Sequence, residues 1–177
     1  MNNIPEDLNR ILISTDQIHS RVKELADQIS YDYAGGGQLY IVGILKGAFI
    51  FLADLTRELQ IPHIVDFMAL TSYGKTTTLG EVRILMDLRD PIENQHVLVV
   101  EDIVDSGHTL NYLQRVLRGR NPASLRTCVL VRKERESLSV NVDYLGFEIP
   151  DVWVVGYGLD FADKYRTLPY IAELKQS

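Results

Sequence analysis

One cysteine, Cys128, stands in the 177 residues of this sequence. A lone cysteine excludes an internal disulfide framework and a cysteine-built metal cluster. Positive charge is also the minority: 18 Lys and Arg face 24 Asp and Glu, for a formal net charge of -6. A broad nucleic-acid footprint needs Lys and Arg gathered over one face, so no nucleic-acid partner is expected. No apolar run is long enough to span a bilayer, and MNNIPEDLNR lacks a basic segment followed by an apolar one. Neither membrane nor secretion is expected, and the chain reads as cytoplasmic. What remains is 46% hydrophobic and 24% charged, the balance of one globular domain over residues 1–177 with a sizeable core. An anionic ligand would have to be held locally, by helix N-termini, a few Lys or Arg, or a metal.

Strand and helix signals alternate along the chain, with no repeat and no low-complexity linker. TDQIHSRVKELADQIS (15–30) places Ile18, Val22, Leu25, Ala26 and Ile29 on one helical face, with Ser14 or Thr15 as N-cap. LYIVGIL, after three glycines, reads as a buried strand, and AFIFLADLTRELQI (48–61) as a strongly apolar helix. HIVDFMAL (63–70) and EVRILMDL (81–88) read as strands joined by TSYGKTTTLG, too long for a tight turn. VLVV, a helix through NYLQRVLRG and the strand RTCVLVR continue the series. Strand, helix, strand at this spacing predicts right-handed βαβ units and a mostly parallel sheet flanked by helices.

The informative stretch is VLVVEDIVDSGHTL (97–110). Four apolar residues, three of them Val, suit a strand buried on both faces. Helical periodicity after Asp105 turns Leu110, Leu113, Val116 and Leu117 inward, with Gly119 as the stop. DSGHT is therefore a strand-to-helix loop whose backbone N–H groups face an anion, with hydroxyls from Ser106 and Thr109 and close approach allowed by Gly107. Glu101 and Asp102 supply hard oxygens suited to ribose hydroxyls or to a magnesium ion that keeps its waters. Together these describe a sugar phosphate. The blander alternative is an ordinary capped helix start with solvated acids.

VLVVEDIVDSGHT resembles the phosphoribosyl pyrophosphate signature of the type I phosphoribosyltransferases at every defined position. VGILKGAFIF (42–51) is similar to the loop by which the purine salvage members bind pyrophosphate, and in them the peptide before the Lys, here Leu45–Lys46, is often cis. TSYGKTTTLGEVRI resembles their lid, whose Ser-Tyr pair would be Ser72 and Tyr73. DYLGFEIPDVWVVGYGLDFADKYRTLPYI (143–171) resembles the 6-oxopurine branch, the hypoxanthine-guanine phosphoribosyltransferases.

The resemblance implies a fold and a set of roles. The fold is a central parallel sheet of about four or five strands (core about 30–140) under a small hood from about 1–15 and 145–177. Asp105, Ser106, Gly107, His108 and Thr109 would hold the 5′-phosphate, and Glu101 and Asp102 the ribose hydroxyls. Lys46, Gly47 and Arg166 would bind pyrophosphate, with Glu101, Asp102 and Asp160 around Mg²⁺. Trp153 would stack on the purine and Val154 would contact its edge through backbone groups. A cation after the motif helix would donate to the 6-oxo group; Arg132 and Lys133 are the candidates, with residue type favouring Lys133 if a deletion falls in ERESLSVNV. Asp105 would be the general acid/base, and His108 would serve only through its backbone. The partners so implied are phosphoribosyl pyrophosphate, hypoxanthine and guanine, in a homodimer or homotetramer. An RNA-binding regulator of the same fold, a transferase for another base and a receiver-like domain are the competing readings. The first needs a basic face, the second does not need the LKG and GFEIPD segments, and the third needs its acids on separate strands.

Overall fold

The structure is a computed structural model that describes residues 5–73, 81–135 and 140–175. Nine strands and three helices follow in the order β1 (Leu8–Ile13), α1 (Thr15–Asp32), β2 (Leu39–Leu45), α2 (Phe49–Glu58), β3 (His63–Tyr73), β4 (Glu81–Met86), β5 (His96–Val104), α3 (His108–Arg118), β6 (Ser124–Lys133), β7 (Tyr144–Ile149), β8 (Val154–Val155) and β9 (Ile171–Leu174) among the described residues. The main sheet has six strands in the order β4-β3-β2-β5-β6-β7. Five of them are parallel and β4 pairs antiparallel with β3 at one edge. That antiparallel edge strand, paired with β3 from Ala69–Met86 to Tyr73–Glu81, is one more than the parallel set of four or five.

Residues on successive positions of the central strands serve opposite faces. On one face Leu39 and Ile41 of β2, Leu98 and Val100 of β5, and Cys128 and Leu130 of β6 pack with α1 and α2. On the other, Tyr40, Val42 and Ile44, Val97 and Val99, and Val129 pack with Leu110, Leu113 and Leu117 of α3. The continuous apolar runs of β2 and β5 follow from burial on both sides.

Helix α1 starts at Ser14, whose hydroxyl accepts from the Gln17 N–H while the Gln17 side chain accepts from the Ser14 N–H. This capping box satisfies two donors that the first turn leaves free. The five apolar residues expected on its inner face are the five that are buried. Helix α3 differs from expectation in two details. Gln114 is buried, its amide donating to the Asn141 carbonyl at 2.9 Å, and Val116 is only half-buried. Gly119 caps the helix in right-handed geometry, and the left-handed residue that turns the chain is Asn121, with φ of 54°.

The hood is a second sheet, β1-β9-β8, antiparallel throughout. β7 pairs with β6, so the main sheet reaches residue 149, and β8 and β9 of the hood follow it in the chain. The hood is fastened to the layer below by the Tyr157 hydroxyl, which donates to Asp54 of α2 at 2.5 Å. No helix among the described residues is long and apolar enough to cross a membrane.

Candidate active site

The strand order reverses between β2 and β5: β2 continues through α2 to β3 on one side, and β5 through α3 to β6 on the other. The loops leaving the carboxyl ends of two such strands diverge and open a crevice, the position where sheets of this kind bind ligands. Lys46 and Gly47 leave β2 at this point. Glu101 and Asp102 lie in the C-terminal half of β5, which runs four residues beyond VLVV, and Asp105 begins the loop to α3.

Gly107 adopts φ of 77° as the residue before α3, a left-handed conformation that favours glycine. The loop and the helix start enclose a pocket of about 210 Å³ lined by Glu101, Asp105, Ser106, Gly107 and Thr109 among others. His108 is exposed in the first helical turn. Backbone N–H groups at a helix N-terminus border this small pocket, an arrangement that suits a phosphate group.

The Leu45–Lys46 peptide is cis. Gly47 packs on the acids: a Cβ there would lie 1.6 Å from Asp102 Oδ2. Gly158, with φ of 103°, packs on Gly47 in turn, since a Cβ would lie 2.0 Å from the Gly47 carbonyl oxygen. The Lys46 loop, the acid pair and the hood turn are thus assembled by two side-chain-free contacts.

Glu101 is buried, and its Oε2 has no hydrogen-bond partner. Burial pushes its carboxyl well above the usual range, and neighbouring Asp102 adds to the effect. Burial also pushes Asp102 up to about 6, against the pull of backbone N–H groups and Arg166. An orphaned carboxylate oxygen beside a second raised carboxyl is an arrangement that a cation would relieve.

Arg166 donates to the Gly158 carbonyl at 2.8 Å and pairs with Asp160 Oδ1 at 2.7 Å and Asp163 Oδ1 at 3.0 Å. Lys46 Nζ reaches the same Asp163 oxygen at 2.8 Å. Lys46 and Arg166, remote in sequence, therefore meet on one exposed carboxylate.

A second cleft, of about 170 Å³, lies beside the first and is lined by Asp102, Asp105, Lys133, Trp153, Val154 and Asp160 among others. Lys133 ends β6, is 6% exposed, and places Nζ 5.4 Å from the centre of the Trp153 ring. Trp153 lies just before β8 and is 58% exposed, with Phe161 edge-on at 6.3 Å. Arg132, one residue earlier and so on the opposite face, pairs with Glu148 at 2.5 Å. Of the two candidate cations, Lys133 lines the cleft with Trp153. β3 ends at Tyr73, and the expected lid, with the side chains of Ser72 and Tyr73 and segment 74–80, lies outside the described residues.

Three charged residues of the site escape the sequence pattern. Asp163 sits in an irregular turn with no periodicity. Arg135 Nη2 bridges Asp105 Oδ1 at 2.8 Å and Asp151 Oδ1 at 2.7 Å. The β6–β7 register sets Arg132 opposite Glu148 and Lys133 opposite Ile149, and the same offset brings Arg135 to Asp151. Only that register could have revealed the pair.

A parallel sheet with an anion loop after one strand, paired acids before it and a cation loop after the neighbouring strand defines a sugar-phosphate-binding transferase site. Comparison with known proteins agrees: residues 14–162 match the phosphoribosyl transferase domain, and the chain belongs to the phosphoribosyltransferase family. It is 49% identical to the hypoxanthine-guanine phosphoribosyltransferase of Dictyostelium discoideum, over 94% of this chain and 95% of that one. It is 46% identical to the hypoxanthine phosphoribosyltransferase of Escherichia coli, over 93% and 94% of the two chains. The hypoxanthine phosphoribosyltransferase of Trypanosoma cruzi, solved in complex with the product IMP, superposes with a TM-score of 0.90 at 43% identity, covering 98% of this chain and 97% of that one.

Proposed function

We propose that this chain is a purine salvage enzyme, transferring the 5-phosphoribosyl group of phosphoribosyl pyrophosphate to N9 of hypoxanthine or guanine, with IMP or GMP and pyrophosphate as products. The observation that carries this reading is the adjacency of two clefts, one with an anion loop and paired acids, the other with Trp153 and the nearly buried Lys133. Asp105 lines both.

In this reading the α3 N-terminus, Ser106 and Thr109 hold the 5′-phosphate, and Glu101 and Asp102 hold the ribose 2′ and 3′ hydroxyls. Lys46, Gly47 and Arg166 receive the departing pyrophosphate. At C1′ the bond to pyrophosphate breaks as the bond to N9 forms, through a transition state with oxocarbenium character. Catalysis then consists mainly of positioning and charge stabilisation. Asp105 accepts the proton carried at purine N7. Trp153 stacks on the base, backbone groups at Val154 read its edge, and Lys133 donates to the 6-oxo group. Adenine presents a donor there and would leave the ammonium unpaired, which disfavours it. Ser72 and Tyr73 would close over the reaction and exclude water.

The site suits Mg²⁺ that arrives with its substrate. Glu101, Asp102 and Asp160 supply hard oxygens, the orphaned Glu101 oxygen among them, and no group of three or more ligating side chains among the described residues forms a protein cage. When bound, the ion would offset charge on the pyrophosphate. Assembly as a homodimer or homotetramer follows the family. A cytoplasmic location is in keeping with the single, unpaired and buried Cys128.

The test is stoichiometric: purified protein with Mg²⁺, phosphoribosyl pyrophosphate and hypoxanthine should release IMP and pyrophosphate in equal amounts, and excess chelator should abolish both. Product formed at full rate in chelator would remove the metal, and no product would remove the proposal.

A further inference from the structure

Lys133 is nearly buried, and a buried ammonium settles where its counter-charges stand. Its Nζ lies 3.3 Å from Asp151 Oδ1 and 3.7 Å from Asp105 Oδ2, so Asp151 is the closer partner. Arg135 spans the same two acids, at 2.8 Å from Asp105 and 2.7 Å from Asp151. Two cations and two carboxylates thus form a closed, neutral ring, of which Lys133 and Asp105 line the second cleft. Arg135 and Lys133 hold the Asp151 carboxyl below the ordinary range. Asp151 lies two residues before Trp153, between β7 and β8, so the carboxylate that fixes the ammonium and the ring beside it belong to one short segment.

We infer that Asp151 is a positioning residue for base recognition: its carboxylate holds the Lys133 ammonium over the Trp153 ring, from where it reaches a 6-oxo group, while Arg135 occupies Asp105 and keeps that acid from drawing the ammonium toward the phosphate loop. The inference rests on the proposed role of Lys133 as the cation that reads the base. Its consequence is that discrimination at the purine 6-position depends on a residue that need not touch the purine. Without the Asp151 charge, Lys133 has Asp105 as its remaining close carboxylate and shifts toward it.

The discriminating experiment uses two mononucleotides that differ at the 6-position, IMP and purine riboside 5′-monophosphate, with calorimetric affinities for wild type, Asp151→Asn, Asp151→Glu and Lys133→Ala. Wild type should prefer IMP. Asp151→Asn should cut that preference by about tenfold, the scale of a lost charge-assisted hydrogen bond, mostly through weaker IMP binding. Asp151→Glu should restore part of it, and Asp151→Asn added to Lys133→Ala should change the preference no further. A structural defect would weaken both nucleotides alike, so an equal loss overturns the inference, as does an unchanged preference in Asp151→Asn while Lys133→Ala abolishes it. If Lys133→Ala keeps the full preference, the role of Lys133 itself fails. Unchanged melting temperatures verify that the variants fold.

Discussion

Asp105 lies between the anion loop and the base cleft, and its neighbours are Arg135 and Lys133 rather than apolar groups. Replacing it with Asn keeps the shape but removes the charge, the proton acceptor and one of the two oxygens that face Arg135 and Lys133. Asp105→Asn should lower kcat on the order of 10²-fold with modest change in KM, and wild-type turnover would exclude Asp105 from proton transfer. Lys133→Ala should weaken base binding far more than Arg132→Ala, because Arg132 faces Glu148 across the sheet; steady-state KM for hypoxanthine would rank them, and the reverse order would move the assignment. Asp102 makes a pH-dependent prediction. Its carboxyl, raised by burial from 3.8 to about 6, binds its proton more tightly in the folded chain than in the unfolded one. The stability it contributes is full below 3.8 and lost as pH rises through about 6. Asp102→Asn should therefore leave the ligand-free melting temperature nearly unchanged at pH 4 and raise it above pH 6. About 1 kcal/mol there corresponds to roughly 2–4 °C for a chain of this size. Parallel melting-temperature profiles for the two proteins would contradict the burial argument.

Among elements, contiguous patterns were legible in the sequence and contacts between segments were not. The inner face of α1 followed from helical periodicity, because each apolar side chain there meets the same sheet. In α3 the periodicity located the face but assigned Val116 instead of Gln114, since the Asn141 carbonyl that satisfies Gln114 comes from a distant loop. The anion loop was legible because its strand, acids, glycine and helix start are consecutive. Asp163, Arg135 and Asp151 were hidden because a turn and a strand register bring them in. Gly47 is the most demanding contact between elements, closing the β2 loop against Asp102. Gly47→Ala should shift the Lys46 loop away from the acids and raise KM for phosphoribosyl pyrophosphate at least tenfold, about 1.4 kcal/mol, while a thermal melt shows the fold retained. Unchanged KM would mean that the loop gives way at no cost.

At the scale of the whole molecule, alternating strands and helices made a parallel sheet legible, but not its order or its antiparallel β4 edge. The order matters most, because the reversal between β2 and β5 puts Lys46 beside Glu101 and Asp102. The hood is likewise a product of distant pairing, with β1 and β9 at opposite ends of the chain. It carries Trp153 and Arg166 over the carboxyl ends of the strands, so the α3 loop, the Lys46 loop and the Lys133–Trp153 cleft adjoin one crevice. The most direct test of that union is a product assay with phosphoribosyl pyrophosphate, Mg²⁺ and, in separate reactions, hypoxanthine, guanine, xanthine, adenine and uracil. Hypoxanthine or guanine should yield mononucleotide, and adenine and uracil none. Turnover of adenine or uracil would contradict the base pocket built from Lys133 and Trp153, and no turnover with any base would contradict the transferase itself.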